Sequence, residues 1–284
     1  MITLGIVYHR DGETPPFESD DSVTVVSHVN ASSDGRTPWR GFGENHNALI
    51  EDAAGSDWYV ALNPDALATR EDILRLVDFA ESGDYAIAGP ALRTPWGMLD
   101  SPSHELPTPR TWLRHALGGV RRGDRGAHTR ARHAQLPAGA AWITGACMAI
   151  DLRKPVTRFD ERYFMYFEDV DICHRAAQSG GKIGFCKDVV VDHASGWSAR
   201  DSLRWHRGVE FARSALLFAD TLDSSALLMR SAGLARFASR IPLPGRTESE
   251  LIAARCIARG FLNTGGPGLV ELAGNWTLAR EVAG

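Results

Sequence analysis

The chain has 284 residues and the composition of a folded globular protein, with 44% hydrophobic and 23% charged residues. This balance excludes a wholly disordered chain, a collagen-like repeat and a coiled coil. The formal net charge of −4 argues against a dedicated nucleic-acid-binding protein, because affinity for a phosphate backbone requires a clustered basic excess. At about 150 residues per domain, the length predicts two domains or one large domain with an appendage.

No basic leader followed by an apolar run and a cleavage site is present near the N-terminus, so the sequence does not indicate a secretory signal. The longest apolar-leaning stretch, residues 136–150, is shorter than the roughly 20 residues of a membrane-spanning helix. We therefore expect a cytoplasmic protein. Peripheral contact with the inner face of the plasma membrane is left open, as is assembly into a homo-oligomer.

Strands and helices alternate over the first ninety residues. Apolar β-branched runs between turn-forming residues predict strands, and apolar residues at helical spacing predict helices. The predicted strands cover residues 2–8, 22–29, 58–62 and 85–89, and the predicted helices cover residues 48–54 and 70–82. This order indicates an α/β fold with a mostly parallel sheet. In such sheets, ligands bind at the carboxyl ends of the strands.

Residues 91–135 depart from this alternation, with four prolines followed by an arginine-rich segment. Seven arginines and one aspartate lie between residues 110 and 133. A charged, glycine-containing run of this kind favours a solvated or partly disordered insertion. Two sharper interpretations stay open, namely an acceptor-phosphate site and a patch that rests on anionic lipid headgroups.

The second half of the chain returns to core sequence and then becomes helical. Apolar runs at 141–150 and 182–191 predict core strands, and helical spacing begins near residue 203. We expect the main domain to cover residues 1–215 and a C-terminal helical extension to cover residues 216–284. For that extension, core packing or oligomer formation is favoured over contact with a membrane surface.

Acidic residues and one histidine lie at or just after the ends of predicted strands. Asp65 follows the strand at 58–62, and His193 follows the strand at 182–191. A carboxylate and an imidazole can together bind a divalent cation, and Mg²⁺ or Mn²⁺ is preferred where water and phosphate oxygens complete the shell. Each residue taken alone also fits a turn, a helix cap or a structural histidine. Their joint occurrence at one sheet edge indicates a site.

A third acidic feature lies in residues 159–173, where five aromatic or apolar residues directly precede Glu168 and Asp169. Apolar walls around a carboxylate raise its pKa, which suits a general base. The alternative is an amphipathic turn that leads into a helix, with Glu168, Asp169 and Asp171 as favourable acids in its first turn. The residues alone leave both interpretations open.

In their order along the chain, these motifs resemble the family 2 glycosyltransferases, and within that family the bacterial rhamnosyltransferase-like branch. The resemblance covers roughly residues 2–215. The motifs that carry it are NASSDG (30–35), GFGENHN (41–47), ALNPD (61–65), WITGACMAI (142–150), FDERYFMYFEDVDICHRA (159–176) and VVVDH (189–193).

The resemblance implies a GT-A fold, which is a Rossmann-like, mostly parallel sheet flanked by helices, here with the C-terminal helical extension. It also implies an inverting transfer that depends on Mg²⁺ or Mn²⁺. Asp65 is similar to the acid that bridges metal and diphosphate, and His193 to the histidine that completes the metal shell. Asp169 resembles the catalytic base, and Glu168 would orient that base or the acceptor.

The implied partners are a nucleoside diphosphate sugar, with dTDP or UDP as the nucleotide, and a glycan or lipid-linked glycan acceptor of the bacterial surface or cell wall. No nucleic acid is expected. The resemblance assigns the donor pocket to residues of four motifs, which are Asn30, Gly43, Asn47, Asn63, Asp65 and Gly145. Gly145 would let the backbone approach the donor closely.

Two departures from the family pattern support a different class of function. Val29 stands where relatives carry the aspartate that reads the base, and the segment at 10–21 is shorter than the helix that relatives place there. A catalytically degenerate GT-A protein that binds a nucleotide sugar, a glycan or a partner protein is therefore the alternative. Retention of Asp169 and His193 favours the enzyme.

Overall fold

A computed structural model of the chain describes residues 1–8, 13–30, 39–95, 97, 99–100, 105–117, 127–128, 138–194, 204–238, 248–266 and 268–269. The strands are β1 (Ile2–Tyr8), β2 (Val23–Val29), β3 (Trp58–Leu62), β4 (Ala66–Leu67), β5 (Tyr85–Arg93), β6 (Leu99–Asp100), β7 (Ala127–His128), β8 (Cys147–Asp151) and β9 (Lys182–His193). The helices are α1 (Phe42–Asp52), α2 (Arg70–Ser82), α3 (Pro109–Leu117), α4 (Glu168–Gln178), α5 (Arg204–Thr221), α6 (Ala226–Ala238) and α7 (Glu248–Leu262).

The sheet is mixed, although its four longest strands, β1, β2, β5 and β9, run in one direction. Its order is β2-β1-β3-β8-β5-β6-β7, and β9 pairs with β5 and β4. Strand β8 is antiparallel to both β3 and β5, whereas β1 is parallel to β2 and β3, and β5 is parallel to β9. The long strands β1, β2, β3, β5 and β9 therefore point the same way, and their carboxyl ends meet at one edge. The expected α/β fold is confirmed.

Helices cover both faces of this sheet. Helix α2 begins at a capping box, in which the Asp72 amide donates to the Thr69 hydroxyl at 3.2 Å and the Thr69 amide donates to the Asp72 carboxylate at 3.0 Å. The buried residues of α2 share a helical spacing and pack on one face, and they are Ile73, Leu76, Val77 and Ala80. Helices α1 and α4 cover the opposite face.

A third buried cluster lies outside the sheet and joins α3 to α5, α6 and α7. It is rich in aromatic rings, which include those of Trp112, Phe218, Phe237 and Phe261. Helices α5 and α7 approach closely, because a Cβ atom added to Gly260 would lie 2.0 Å from the Gly208 carbonyl oxygen. Helix α5 runs through residue 215, and the expected domain division at that position stays a prediction.

Some elements differ from the expectation in extent. Helix α1 begins at Phe42, six residues before the predicted start, and β5 and β9 continue to Arg93 and His193. Residues 31–35 of the NASSDG motif and most of the arginine-rich segment lie outside the described residues. None of the helices in the described ranges is both long and apolar enough to cross a bilayer.

Candidate active site

A cleft of about 980 Å³ opens at the carboxyl edge of the sheet, between the strand ends and the aromatic helical cluster. Most of the residues singled out from the sequence line it, and they are Asn30, Asn63, Asp65, Gly145, Glu168, Asp169 and His193. Ends of separate strands and the N-terminus of α4 bring them together. The expected convergence at one sheet edge is thus present in the structure.

Asp65 and His193 form a pair at one side of the cleft. The residue after Asp65, Ala66, pairs with His193 across β4 and β9, and the Ala194 amide donates to the Asp65 carbonyl oxygen at 3.1 Å. The His193 Nε2 atom lies 3.4 Å from Asp65 Oδ1, and the side chains are 17% and 35% exposed. Backbone pairing therefore holds a carboxylate and an imidazole side by side, with access to the cleft.

The chemistry of this pair fits a hard divalent cation that takes its remaining ligands from a bound phosphate and water. Within the described ranges, no group of three or more His, Cys, Asp or Glu side chains is arranged to bind a metal ion. An all-protein metal site is therefore not formed by those residues. The pair can supply two ligands, an oxygen and a nitrogen, to a site that a substrate completes.

Asp169 is held by backbone amides at the N-terminus of α4. The Gly145 amide donates to its Oδ2 atom at 3.1 Å, and the Val170 amide donates to its Oδ1 atom at 2.8 Å. The two preceding residues, Tyr166 and Phe167, have left-handed backbones with φ of 71° and 68°. Such φ values are uncommon for bulky side chains and cluster at functional sites. They turn the chain so that the helix starts at the cleft.

Burial raises the pKa of the Asp169 carboxyl to about 6, although its hydrogen bonds to the Gly145 and Val170 amides act in the opposite direction. Loss of hydration disfavours the charged form, and here that effect is larger than the stabilisation by the amides. A carboxylate with a pKa near 6 is still mostly ionised at neutral pH. It is also a stronger base than an ordinary aspartate, which suits proton abstraction.

Glu168 is the more buried acid of the two, at 6% exposure. Its Oε2 atom has no hydrogen-bond partner among the described residues. Burial, followed by the nearby charges of Asp169 and Glu210, raises the pKa of Glu168 well above its ordinary value. Asp171, in contrast, bonds to Arg175 Nε at 2.7 Å, one helical turn along α4, and does not line the cleft.

Gly145 lies where two walls of the cleft meet. A Cβ atom at this position would lie 3.0 Å from the Phe42 ring and 3.7 Å from Asp169 Cβ. The first distance is shorter than an ordinary van der Waals contact. The absence of a side chain therefore lets the backbone approach Phe42 and donate its amide to Asp169.

Asn47 and Gly43 lie outside the cleft lining. The Asn47 side chain bonds to the backbone of Phe159 on both sides, donating at 3.0 Å and accepting at 2.9 Å. It also donates to Glu161 at 2.9 Å, and a Cβ atom at Gly43 would lie 2.7 Å from Phe159 Cβ. Both residues fasten α1 to the loop before α4. Their expected role in shaping the donor pocket stays a prediction. Its structural basis would be the positioning of α1 against this loop.

Apart from Tyr166, one of the five aromatic or apolar residues before Glu168, and Trp142, which begins the motif at 142–150, the sequence did not single out the residues of the opposite wall. They share an origin in the helices and loops around α3, α5 and α6, and they include Trp112, Trp142, Tyr166, Arg207, Phe211, Arg236 and Phe237. The helical spacing of the C-terminal extension favoured core packing or oligomer formation, and Phe237 of this set lies in the buried aromatic cluster. Helix pattern alone cannot show which aromatic rings face a cleft, because that depends on packing between distant segments.

Comparison with solved structures identifies the class of fold. A mannosyltransferase from Pyrobaculum calidifontis, solved in complex with GDP-Man and Mn²⁺, superposes on the chain with a TM-score of 0.51 at 15% identity, covering 99% of this chain and 84% of that one. The chain has the GT-A glycosyltransferase fold. No protein-family model matches the sequence.

Two curated relatives show which kinds of glycosyltransferase the chain resembles in sequence. The low-salt glycan biosynthesis hexosyltransferase Agl10 of Haloferax volcanii is 30% identical over 136 residues, which is 47% of this chain and 41% of that protein. The N-acetylglucosaminyl-diphospho-decaprenol L-rhamnosyltransferase of Mycobacterium tuberculosis is 28% identical over 170 residues, which is 58% of this chain and 55% of that protein. The chain thus spans about half the length of these relatives. Its resemblance to rhamnosyltransferase-like family 2 glycosyltransferases is confirmed.

Proposed function

We propose that the protein is a glycosyltransferase that moves a sugar, rhamnose or a similar hexose, from a nucleoside diphosphate to a glycan or lipid-linked glycan acceptor. The observation that carries the proposal is the position of Asp169 in the same cleft as the Asp65–His193 pair, at the carboxyl edge of a GT-A sheet. The curated relatives are named as a hexosyltransferase and a rhamnosyltransferase, which supports the sugar class.

Asp65 and His193 would hold a divalent cation, Mg²⁺ or Mn²⁺, together with oxygens of the donor diphosphate. When bound, such a cation offsets the negative charge that develops on a leaving diphosphate. Asn63, two residues before Asp65 in the same turn, would contact the donor from the cleft lining. The nucleotide that we propose is dTDP or UDP.

Asp169 would act as the general base. Its carboxylate takes the proton of an acceptor hydroxyl while that oxygen forms a bond to the anomeric carbon of the donor sugar. The bond from that carbon to the diphosphate breaks, and the diphosphate leaves with the electron pair. Attack from the side opposite the leaving group inverts the anomeric centre. The pKa of about 6 leaves Asp169 ionised at neutral pH, as this step requires.

The proposed setting is the cytoplasm or the inner face of the plasma membrane, with a surface or cell-wall glycan as the product. Calorimetric titration with UDP, dTDP, GDP and their sugar conjugates, with and without Mn²⁺ or Mg²⁺, tests the donor site. Metal-dependent binding of one nucleotide class is the expected result. The absence of binding at millimolar ligand across the panel would contradict the proposal.

A second candidate is a GT-A protein that binds its ligand without turnover. The observation in its favour is Val29, whose apolar side chain ends β2 next to the cleft residue Asn30. Hydrolysis of the bound donor in the absence of acceptor discriminates the two functions. Slow, metal-dependent release of free sugar, which Asp169→Asn abolishes, is expected of the enzyme and not of a binding protein.

A further inference from the structure

His46 of α1 lines the cleft although it is only 1% exposed. Its ring centroid lies 4.4 Å from that of Phe42 and 6.1 Å from that of Phe159. Aromatic neighbours therefore fix the plane of the ring. A polar side chain in this position is costly unless its nitrogens have partners.

One of the two ring nitrogens has a partner in the core. The His46 Nδ1 atom lies 2.7 Å from the Tyr59 hydroxyl oxygen. That hydroxyl fills the space above Gly5, where a Cβ atom would lie 1.9 Å from it, and Tyr59 has no measurable exposure. Neither group can move without disturbing the sheet beneath it.

The position of the proton follows from the hydrogen-bonding needs of both groups. Burial lowers the pKa of His46 to about 3 and raises the pKa of Tyr59 well above its ordinary value, so both are neutral. A neutral phenol must donate its only proton, and Nδ1 is the acceptor within reach. The ring proton of His46 therefore lies on Nε2.

No described residue supplies a hydrogen-bond partner to His46 Nε2, whereas two polar neighbours in the cleft lining already bond to protein groups. The Asn45 side chain accepts from His28 Nε2 at its Oδ1 atom, at 2.7 Å, and donates from its Nδ2 atom to the Gly41 carbonyl oxygen at 2.8 Å. Asn30 accepts from the Arg40 amide at 2.9 Å. The Nε2–H group is thus a buried donor at a surface that a ligand can reach.

Its place in the cleft indicates which part of a ligand it meets. His46 lies among residues from the ends of β1 and β2 and the start of α1, including Val7, Asn30 and Phe42. The Asp65–His193 pair lies after β3 and at the end of β9. If the diphosphate binds at that pair, the wall around His46 is the part of the cleft that faces the nucleoside.

We propose that His46 is a nucleoside-recognition residue whose Nε2–H group donates a hydrogen bond to an oxygen of the donor nucleoside, either a base carbonyl or a ribose hydroxyl. The inference rests on the proposed function, because it requires a nucleotide donor. It adds a specificity-determining contact on the wall where Val29 supplies no polar group.

Two substitutions separate the nitrogens of the ring. In His46→Gln the side-chain amide reaches the place of Nε2, so the donor to the cleft is kept and the contact with Tyr59 is lost. In His46→Asn the amide reaches the place of Nδ1, so the Tyr59 contact is kept and the cleft donor is lost. We expect His46→Asn to weaken binding of the best nucleoside diphosphate about tenfold, and His46→Gln to weaken it less than about threefold.

Inorganic pyrophosphate with Mn²⁺ is the matched probe for the other half of the donor. Both variants should bind it as the wild-type protein does. Equal nucleotide affinity in wild type and His46→Asn would overturn this inference but not the proposed function. The same holds if His46→Asn loses as much affinity for pyrophosphate as for the nucleotide. Failure of the wild-type protein to bind any nucleotide would overturn the proposed function and this inference with it.

A measurement on the unaltered protein covers the case in which a variant does not fold. In the ¹⁵N spectrum of histidine-labelled protein, the resonance of the protonated ring nitrogen of His46 should shift when UDP or dTDP binds, and not when pyrophosphate and Mn²⁺ bind. A nitrogen resonance that is insensitive to the nucleotide would contradict the proposed contact.

Discussion

The two walls of the cleft are built in different ways. At the sheet edge, polar groups follow directly after apolar strands, and main-chain hydrogen bonds hold them, as with Asp65 beside His193. On the helical side, rings from distant segments pack around Trp112, whose centroid lies 5.7 Å from that of Phe237 and 5.8 Å from that of Phe261. One wall is polar, and each of its groups lies next to its own strand, whereas the other wall is apolar and is formed by non-local packing.

This difference indicates that the two walls have different chemical roles. The sheet edge presents a carboxylate and an imidazole, which suit a cation and a diphosphate. The aromatic wall excludes water and raises the pKa of the acids at the start of α4. Asp169 lies where the walls meet, since Gly145 from the loop before β8 and Val170 of α4 both donate to it.

The largest expected effect comes from the residue at this junction. Asp169→Asn should lower kcat about a thousandfold, because general base catalysis contributes roughly 10²–10⁴-fold to such steps. Donor affinity should stay within about twofold, since the amide occupies the same space. Initial rates and calorimetric donor binding check the two parts. In the wild-type enzyme, kcat should fall as the pH drops below about 6, where Asp169 becomes protonated.

An Asp171→Asn variant controls for a general effect of acid removal on α4, because Asp171 bonds to Arg175 away from the cleft. Its turnover should exceed that of Asp169→Asn by at least about tenfold. Transfer by Asp169→Asn at the wild-type rate would show that another group takes the proton.

The next largest effect is expected at the sheet edge. His193→Ala should weaken metal-dependent donor binding about 10- to 100-fold, because it removes one of the two protein ligands that we propose for the cation. Titration of the nucleotide with and without Mn²⁺ measures the change. Binding in the absence of metal should not differ from wild type.

Asp192 offers the matched control, since it is the preceding residue of β9 but pairs with Arg93 of the neighbouring strand. Asp192→Asn should keep the metal dependence of donor binding. If His193→Ala retains full metal dependence, the cation is held by other groups.

A smaller effect, on folding rather than chemistry, would test the non-local wall. Gly260→Ala places a Cβ atom 2.0 Å from the Gly208 carbonyl oxygen, so α5 and α7 must move apart. We expect a loss of about 1–3 kcal/mol in the free energy of unfolding, which is the usual cost of overpacking. Urea denaturation gives this value, and Gly265→Ala, with no atom within 4 Å of the added Cβ, is the control.

The sequence predicted the polar wall far better than the apolar one. Asp65, Asp169 and His193 could be placed because each lies at or just after an element whose pattern is local. His46 could not be predicted, because its role depends on a hydrogen bond to Tyr59 of β3, which fixes the proton on its ring. The early start of α1 was also missed, since Gly43 favours a loop in isolation, whereas the contact with Phe159 leaves room for no side chain within the helix.

The last expected effect is a change of stability with pH, which comes from the place where the two walls meet. Asp169 has a pKa of about 6 in the folded protein and an ordinary value near 3.8 when unfolded, so between these values the folded state binds more protons. Stability contributed by this residue should therefore decrease as the pH rises from about 4 to 6, and remain constant above. Asp169→Asn lacks this slope. The difference in unfolding free energy between variant and wild type should thus grow in favour of the variant over that range, as urea denaturation at several pH values would show. Glu168 also has a raised pKa, and in the variant it loses the Asp169 charge that helps to raise it, so its change adds to the same difference. A difference independent of pH would mean that the aromatic wall does not destabilise the charged form of Asp169, and that the two walls act separately.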